Sequence, residues 1–342
     1  MKWFIRGVAL ILFGMISVYL LADLQLKPLN DEARTKAPGA FLKATDGNIH
    51  YRLEGPEDGP LIVLVHGFST PNFIYEQNVE ALTAAGFRTL RFDHFGRGWS
   101  DRPSVKYDVD FYDRALIDVL DGLDVKEPVG LAGLSMGGPI VAEFTARHPE
   151  RVERLVLLVP AGLDTAGADS ASAKLVSTPL IGDWIWRMFG KGILLSDSQY
   201  DESARAPEDR LQGDVTEQLQ YRGYLQALLS SLRHMPMTGR EETFERVADT
   251  GVPVLAIYGD EDATVLVSSA AQLRALMPDA TICVIEGGEH GLNYQMHQMI
   301  NPELVSWFQQ LDASKRRRNR EQSAVYLRHS GAGCRGPVVG DD

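Results

Sequence analysis

Short apolar runs alternate with helix-like segments along most of this chain, and this alternation constrains its fold more than any other feature. Six runs have the length and composition of strands: residues 61–65, 87–92, 129–134, 155–159, 254–258 and 281–285. A strand that is buried on both faces needs an uninterrupted apolar run, and strands that are joined through helices pair in parallel. The sequence therefore predicts an α/β fold with a doubly wound, mostly parallel sheet.

One long segment interrupts the alternation. Between residues 163 and 249 the apolar residues recur at helical spacing, and no convincing strand pattern appears. We interpret this segment as a helical cap, inserted into a core made of residues 41–162 and 250–313. Four large apolar residues of the cap are candidates either to line a ligand pocket or to pack the cap onto the core: Trp184, Trp186, Met188 and Phe189.

Residues 1–23 carry a separate signal. Arg6 precedes an uncharged run of 16 residues, Gly7 to Ala22. This pattern favours an uncleaved membrane anchor over residues 4–22, with the rest of the chain on the non-cytoplasmic side, which in a bacterium is the periplasm. A cleaved signal peptide and a soluble N-terminal helix are the alternatives.

Two further segments lie outside the predicted core. Residues 24–40 are polar and contain two prolines, so we expect a linker there. Residues 314–342 begin with a basic run and end rich in glycine, which is typical of a disordered tail. The net charge of −12 argues against nucleic acid as a partner. The two cysteines, Cys283 and Cys334, do not have the spacing of a metal site.

The sequence Gly133-Leu134-Ser135-Met136-Gly137 joins the strand pattern at 129–134 to a helical pattern. A Gly-x-Ser-x-Gly between a strand and a helix predicts a sharp turn that exposes the serine hydroxyl. The glycines remove Cβ atoms that would clash in such a turn. Ser135 is therefore a candidate nucleophile.

A serine hydroxyl needs a base, and the base needs a partner that fixes its tautomer. His290 lies in a glycine-rich loop that follows the strand at 281–285, and it is the candidate base. Three acids follow the strand at 254–258: Asp260, Glu261 and Asp262. Both loops leave the carboxyl ends of strands, where ligands bind in open α/β sheets.

With these motifs in this order, residues 41–311 resemble the α/β-hydrolase superfamily, in particular its capped serine hydrolases of the esterase and monoacylglycerol-lipase type. The family pattern Gly-x-x-Asp implies that Asp262 is the acid, although Thr264 and Val265 stand where the family often has proline. The motif His-Gly-x at residues 66–68 implies an oxyanion hole made by the backbone N–H groups of Phe68 and Met136. His66 itself is expected to be structural, as is Arg97 in a later glycine-rich turn.

The resemblance implies a serine hydrolase that cleaves carboxylic esters, lipid-like or monoacyl, through an acyl-enzyme on Ser135. Such a reaction needs no metal or organic cofactor. Epoxide hydrolases and haloalkane dehalogenases are excluded, because they carry aspartate at this position. A C–C bond hydrolase of meta-cleavage products is an alternative, but those relatives typically have tryptophan after the histidine, whereas Gly291 follows His290. A non-catalytic binding protein on the same fold is the second alternative.

Overall fold

The computed structural model describes residues 1–196 and 211–311. Its sheet has eight strands: β1 (Ala40–Ala44), β2 (Gly47–Glu54), β3 (Leu61–Val65), β4 (Arg88–Phe92), β5 (Val129–Leu134), β6 (Val152–Leu158), β7 (Val254–Gly259) and β8 (Thr281–Ile285). Their order across the sheet is β1-β2-β4-β3-β5-β6-β7-β8. Strands β1 and β2 form an antiparallel hairpin on the edge, and every pair from β4 to β8 is parallel. The predicted α/β class and mostly parallel sheet are confirmed.

Helices cover both faces of this sheet. They are α1 (Lys2–Leu21), α2 (Asp31–Arg34), α3 (Glu76–Ala84), α4 (Val109–Gly122), α5 (Gly137–Arg147), α6 (Ala171–Ser177), α7 (Ile181–Leu195), α8 (Leu211–Gln218), α9 (Tyr224–His234), α10 (Glu241–Thr250), α11 (Ser268–Leu276), α12 (Leu292–Gln295) and a last helix over residues 297–311.

The central strands are apolar throughout because both of their faces are covered. In β3, Val63 and Val65 belong to the apolar core that contains residues of α4, α5 and α11, whereas Ile62 and Leu64 belong to the core that contains residues of α3 and the helix at 297–311. All four side chains are fully buried. Successive side chains of a strand point to opposite faces, so each core receives every second residue of the run.

Helices α6 to α10 all lie between β6 and β7, in the segment for which the sequence predicts a cap. Residues 197–210 of that segment lie outside the described residues, as does the predicted tail at 314–342. Helix α7 packs on α6 and α9, and Trp186 and Leu228 join the apolar core on one side of the sheet.

The predicted linker makes specific contacts with the rest of the protein. The Lys27 N–H donates to the Gln220 carbonyl oxygen at 2.8 Å, and the Arg222 N–H donates to the Lys27 carbonyl oxygen at 3.0 Å. Helix α2 contributes Arg34, whose guanidinium pairs with Asp101. Lys27 and Arg34 therefore join residues 24–40 to the rest of the protein through long-range contacts that composition alone does not reveal.

Helix α1 occupies the apolar segment from which an anchor is predicted. Within the described residues, no helix has both the length and the apolar character that crossing a bilayer requires. This finding does not support the span predicted over residues 4–22, on which the predicted localisation depended. The uncharged run of 16 residues rises about 24 Å as a helix, less than a hydrocarbon core of about 30 Å. Helix α1 contacts α7, where the Arg187 guanidinium lies 4.1 Å from the centre of the Tyr19 ring.

A buried carboxylate ties α10 to α5. The Glu143 side chain accepts hydrogen bonds from Arg147 at 2.7 Å, Arg240 at 2.6 Å, Thr243 at 2.9 Å and Arg246 at 3.1 Å. Burial disfavours ionisation of this carboxyl, but the four donors outweigh burial and lower its pKa to about 2. This cluster fastens the last helix of the predicted cap to the helix that follows Ser135.

We predict that Glu143→Gln lowers the free energy of unfolding by about 3 kcal/mol at neutral pH, because it removes the buried negative charge that Arg147, Arg240 and Arg246 share. The native pKa lies below the unfolded value, so the stabilisation is complete above about pH 4.5 and is lost as the pH falls towards 2. Urea unfolding at pH 7 and at pH 3 measures this, with the exposed Glu242→Gln as the control. A variant whose deficit is the same at both pH values would contradict the assignment.

Candidate active site

The turn between β5 and α5 exposes the Ser135 hydroxyl through a strained backbone. Ser135 has a φ of 53°, in the left-handed region that a residue with a Cβ enters at a cost of about 1–3 kcal/mol. A Cβ on Gly133 would overlap the carbonyl oxygen of Gly137. A Cβ on Gly137 would overlap the carbonyl oxygen of Val65. Both glycines are therefore required by close backbone contacts.

Three side chains from different loops meet in one hydrogen-bonded series. The Ser135 Oγ lies 2.8 Å from His290 Nε2, and His290 Nδ1 lies 2.8 Å from Asp262 Oδ2. The carboxylate accepts from Nδ1–H, so the neutral imidazole keeps Nε2 free to accept the serine proton. His290 and Asp262 are 8% and 5% exposed, which limits competition from water at the two contacts.

The three acids after β7 have different surroundings. Asp262 Oδ1 accepts the N–H groups of Thr264 at 2.7 Å and Val265 at 2.9 Å, which directs Oδ2 towards His290. Asp260 is exposed, and its carboxylate accepts the Gly287 N–H at 2.7 Å, so it closes the turn next to the histidine loop. Glu261 is exposed. Of the three candidates, only Asp262 contacts His290.

The loop that carries Asp262 is paired with residues 164–166, which follow the end of β6 by six to eight residues. The Ala166 N–H donates to the Thr264 carbonyl oxygen at 2.8 Å, and the Leu266 N–H donates to the Asp164 carbonyl oxygen at 3.0 Å. Thr165 and Val265 form an antiparallel bridge between these two bonds. The acid is thus held by residues that belong to the predicted cap segment.

The two backbone groups that are candidates for an oxyanion hole lie on either side of the serine. Met136 is the N-cap of α5, and Phe68 follows Gly67 at the end of β3. An added Cβ on Gly67 would lie 3.7 Å from the Ser135 Oγ, so the loop passes directly beside the hydroxyl. Among the described residues, the N–H groups of Phe68 and Met136 donate to no protein acceptor. Both donors are available to a bound oxygen atom.

A cavity of about 560 Å³ opens over Ser135 and His290. Its walls come from the core and from α6, α7 and α9. The larger apolar residues that line it are Phe68, Ile74, Leu134, Val176, Trp186, Ile193, Leu194 and Leu232. No lysine, arginine, aspartate or glutamate lies among its described lining residues. The cavity therefore suits an uncharged, largely apolar group next to the serine.

Of the four cap residues that the sequence nominated for the pocket, only Trp186 lines the cavity. Trp184 packs against Phe189 and α1, and Phe189 is exposed. Sequence reasoning missed the small residues of the cap wall, Ser170 and Ala173 among them. The run of small side chains at 166–173 is the signal that could have indicated this wall.

Comparisons with known proteins agree with this fold. Residues 62–301 match the Alpha/beta hydrolase family. A protein named putative non-heme chloroperoxidase, from Synechocystis sp., is 28% identical over 73% of this chain and 92% of its own length. The 2-hydroxy-6-oxononadienedioate/2-hydroxy-6-oxononatrienedioate hydrolase of Cupriavidus pinatubonensis is 28% identical over 81% of this chain and 98% of its own length.

Among solved structures, the carboxylesterase CesB from Bacillus subtilis superposes with a TM-score of 0.66. The two sequences are 20% identical, and the match covers 86% of this chain and 97% of that chain. At this identity the likeness concerns the fold alone. The family match spans most of the sheet together with Ser135, Asp262 and His290. This chain belongs to the alpha/beta hydrolase family.

Proposed function

We propose that this protein is a serine hydrolase of carboxylic esters whose acyl group is uncharged and largely apolar. The observation that carries the proposal is the series of contacts from Ser135 through His290 to Asp262, which opens into a cavity with no charged lining residue among those described. Buried apolar walls favour an apolar acyl group and disfavour a charged one, because a charge would lose its hydration without gaining a partner.

In the proposed reaction, Ser135 Oγ attacks the ester carbonyl carbon while its proton moves to His290 Nε2. Asp262 stabilises the imidazolium that forms, and the Phe68 and Met136 N–H groups bind the oxyanion of the tetrahedral intermediate. Collapse of that intermediate expels the alcohol, which takes the proton from His290. A water molecule then attacks the acyl carbon while one of its protons moves to His290, and the Ser135 Oγ that departs takes this proton back as the carboxylic acid is released.

The chemistry of the cavity lining supports ester hydrolysis over C–C bond hydrolysis. The relative from Cupriavidus is named for dienedioate and trienedioate substrates, which carry two carboxylates. Carboxylates in a protein pocket are usually held by arginine or lysine. Neither residue lines the described part of this cavity, and Gly291 follows His290. A non-catalytic binding protein is disfavoured as well, since ligand binding alone does not require the strained backbone at Ser135.

Two matched esters test the proposal. We expect p-nitrophenyl butyrate to be hydrolysed with a kcat/KM at least about tenfold higher than p-nitrophenyl hemisuccinate, whose acyl chain has the same length but ends in a carboxylate. A fluorophosphonate probe should label the protein, with the adduct on the Ser135 peptide. Preference for the hemisuccinate, or turnover of a dienedioate with no ester activity, would refute the proposal.

Trp186 is expected to limit the length of the acyl group. Its indole lies in the cavity wall and is 5% exposed, and its Nε1–H donates to the Leu225 carbonyl oxygen at 2.8 Å. Trp186→Ala should raise the ratio of kcat/KM for a long-chain ester to that for a short-chain ester by about tenfold, because each methylene that gains a buried site contributes about 0.8 kcal/mol.

Trp184→Ala is the matched control, since it removes the same side chain from the same helix outside the cavity lining. In this variant the ratio of kcat/KM for the long-chain ester to that for the short-chain ester should stay within about twofold of the wild-type ratio. Trp186→Phe removes fewer atoms, so it provides a second test if the alanine variant does not fold. An unchanged ratio in both Trp186 variants would show that another residue limits chain length.

A further inference from the structure

The peptide group between Gly67 and Phe68 contains both the Phe68 N–H and the Gly67 carbonyl. His66 Nδ1 lies 2.9 Å from the Gly67 carbonyl oxygen. A carbonyl oxygen can only accept, so Nδ1 carries the hydrogen. On the other side of the ring, His66 Nε2 accepts the His94 N–H at 2.9 Å. The two contacts together require the neutral Nδ1–H tautomer of His66.

His94 holds this ring from a second direction. Its own Nε2–H donates to the His66 carbonyl oxygen at 3.0 Å, and the centres of the two imidazole rings are 4.2 Å apart. His66 is fully buried and His94 is 2% exposed. Burial, with the nearby His94 and Arg97, lowers the pKa of His66 well below its ordinary value, and burial and Arg97 lower the pKa of His94 to about 3. Both rings therefore stay neutral at neutral pH.

The next peptide group is fixed as well. Arg97 Nε–H donates to the Phe68 carbonyl oxygen at 2.9 Å, and its Nη2 donates to Ser231 Oγ at 2.7 Å. The carbonyls on both sides of Phe68 are thus held by buried side chains. Rotation of either peptide group would break one of these bonds. These two bonds therefore fix the direction of the Phe68 N–H, which donates to no acceptor among the described residues.

We infer that His66 is a positioning residue for the oxyanion hole, in which its Nδ1–H bond to the Gly67 carbonyl orients and polarises the peptide group whose N–H is the Phe68 donor. A donor that is already polarised at its carbonyl end makes a stronger hydrogen bond at its N–H end. The inference rests on the proposed function, since the oxyanion forms only if Ser135 attacks a carbonyl group. It assigns a role in transition-state binding to a side chain that touches no substrate.

Two variants separate this role from simple packing. Asparagine carries its amide nitrogen next to Cγ, where histidine carries Nδ1, so His66→Asn can keep the donor to Gly67. Glutamine carries its terminal atoms further out, near the position of Nε2, so His66→Gln loses that donor. We expect kcat for p-nitrophenyl acetate to fall about 10–100-fold in His66→Gln, with KM within about twofold, and no more than about fivefold in His66→Asn.

The outcomes are distinct. Equal kcat values in the two variants, or a loss that appears only in KM, would overturn the inference. A wild-type protein with no ester hydrolysis and no fluorophosphonate labelling would instead refute the proposed function. Thermal unfolding of each variant ensures that kcat is compared below the unfolding midpoint.

A measurement on the wild-type protein tests the inference even if His66→Gln does not fold. NMR of isotope-labelled histidine should show His66 as the Nδ1–H tautomer, with no titration between about pH 5 and 9. Binding of a phenylboronic acid, whose adduct with serine is tetrahedral and anionic, should shift the Phe68 amide proton and the His66 Nδ1 proton downfield together. The Nε2–H tautomer, or a shift confined to Phe68, would contradict the inference.

Discussion

Ser135→Ala is expected to lower kcat for ester hydrolysis by about 10⁶-fold, because no other hydroxyl contacts His290 in the described structure. KM should change little, since the cavity and the two oxyanion donors remain. A residual rate above that in water is expected from those donors. Initial rates with p-nitrophenyl butyrate, at enzyme concentrations high enough to detect the residual rate, measure the effect.

Ser172→Ala is the control for this prediction. It removes another hydroxyl from the lining of the same cavity, but Ser172 bonds to Ser170 at 3.0 Å instead of to the histidine. Its kcat should fall less than about tenfold. If Ser135→Ala kept more than about a hundredth of the wild-type kcat, the acyl-enzyme mechanism would be refuted.

Asp262→Asn should lower kcat by about 10⁴-fold. The two backbone N–H groups that bond to Oδ1 would retain the amide oxygen, which leaves the amide nitrogen facing His290. That nitrogen donates, so His290 would have to accept at Nδ1 and carry its hydrogen on Nε2. In this tautomer the ring cannot accept the Ser135 proton.

Asp260→Asn tests the same chemistry two residues away. The asparagine oxygen can still accept the Gly287 N–H, so the turn persists and kcat should stay within about threefold of the wild type. Both variants lose one negative charge from the same loop, which removes net charge as an explanation. A larger loss in Asp260→Asn than in Asp262→Asn would transfer the role of the acid to Asp260.

Local sequence patterns were sufficient for much of the fold. The uninterrupted apolar runs of β3 and β5 predict buried parallel strands, because only such strands are apolar on both faces. Gly133 and Gly137 predict the sharp turn, since no other residue fits the close backbone contacts. The loops at 259–262 and 286–291 follow neighbouring strands, so their side chains were expected to meet.

Other features depend on contacts between residues that are distant in the sequence. Local pattern could not show that Trp186 faces the cavity while Trp184 faces α1, because both lie in one apolar helix. The choice between Asp260 and Asp262 depends on which carboxylate contacts His290, which lies 28 residues after Asp262 in the chain. The role inferred for His66 depends on His94, which is brought beside it by the pairing of β3 with β4.

The backbone pairing between residues 164–166 and 264–266 limits where a chimaera of this protein can be spliced. A foreign cap spliced directly after β6 would delete the Asp164 and Ala166 partners of the acid loop, although every residue of the Ser135, His290 and Asp262 series was retained. Splice points beyond residue 166 keep both partners. A cap graft that is meant to change substrate specificity should therefore begin eight or more residues beyond the end of β6, the boundary that element order alone would suggest.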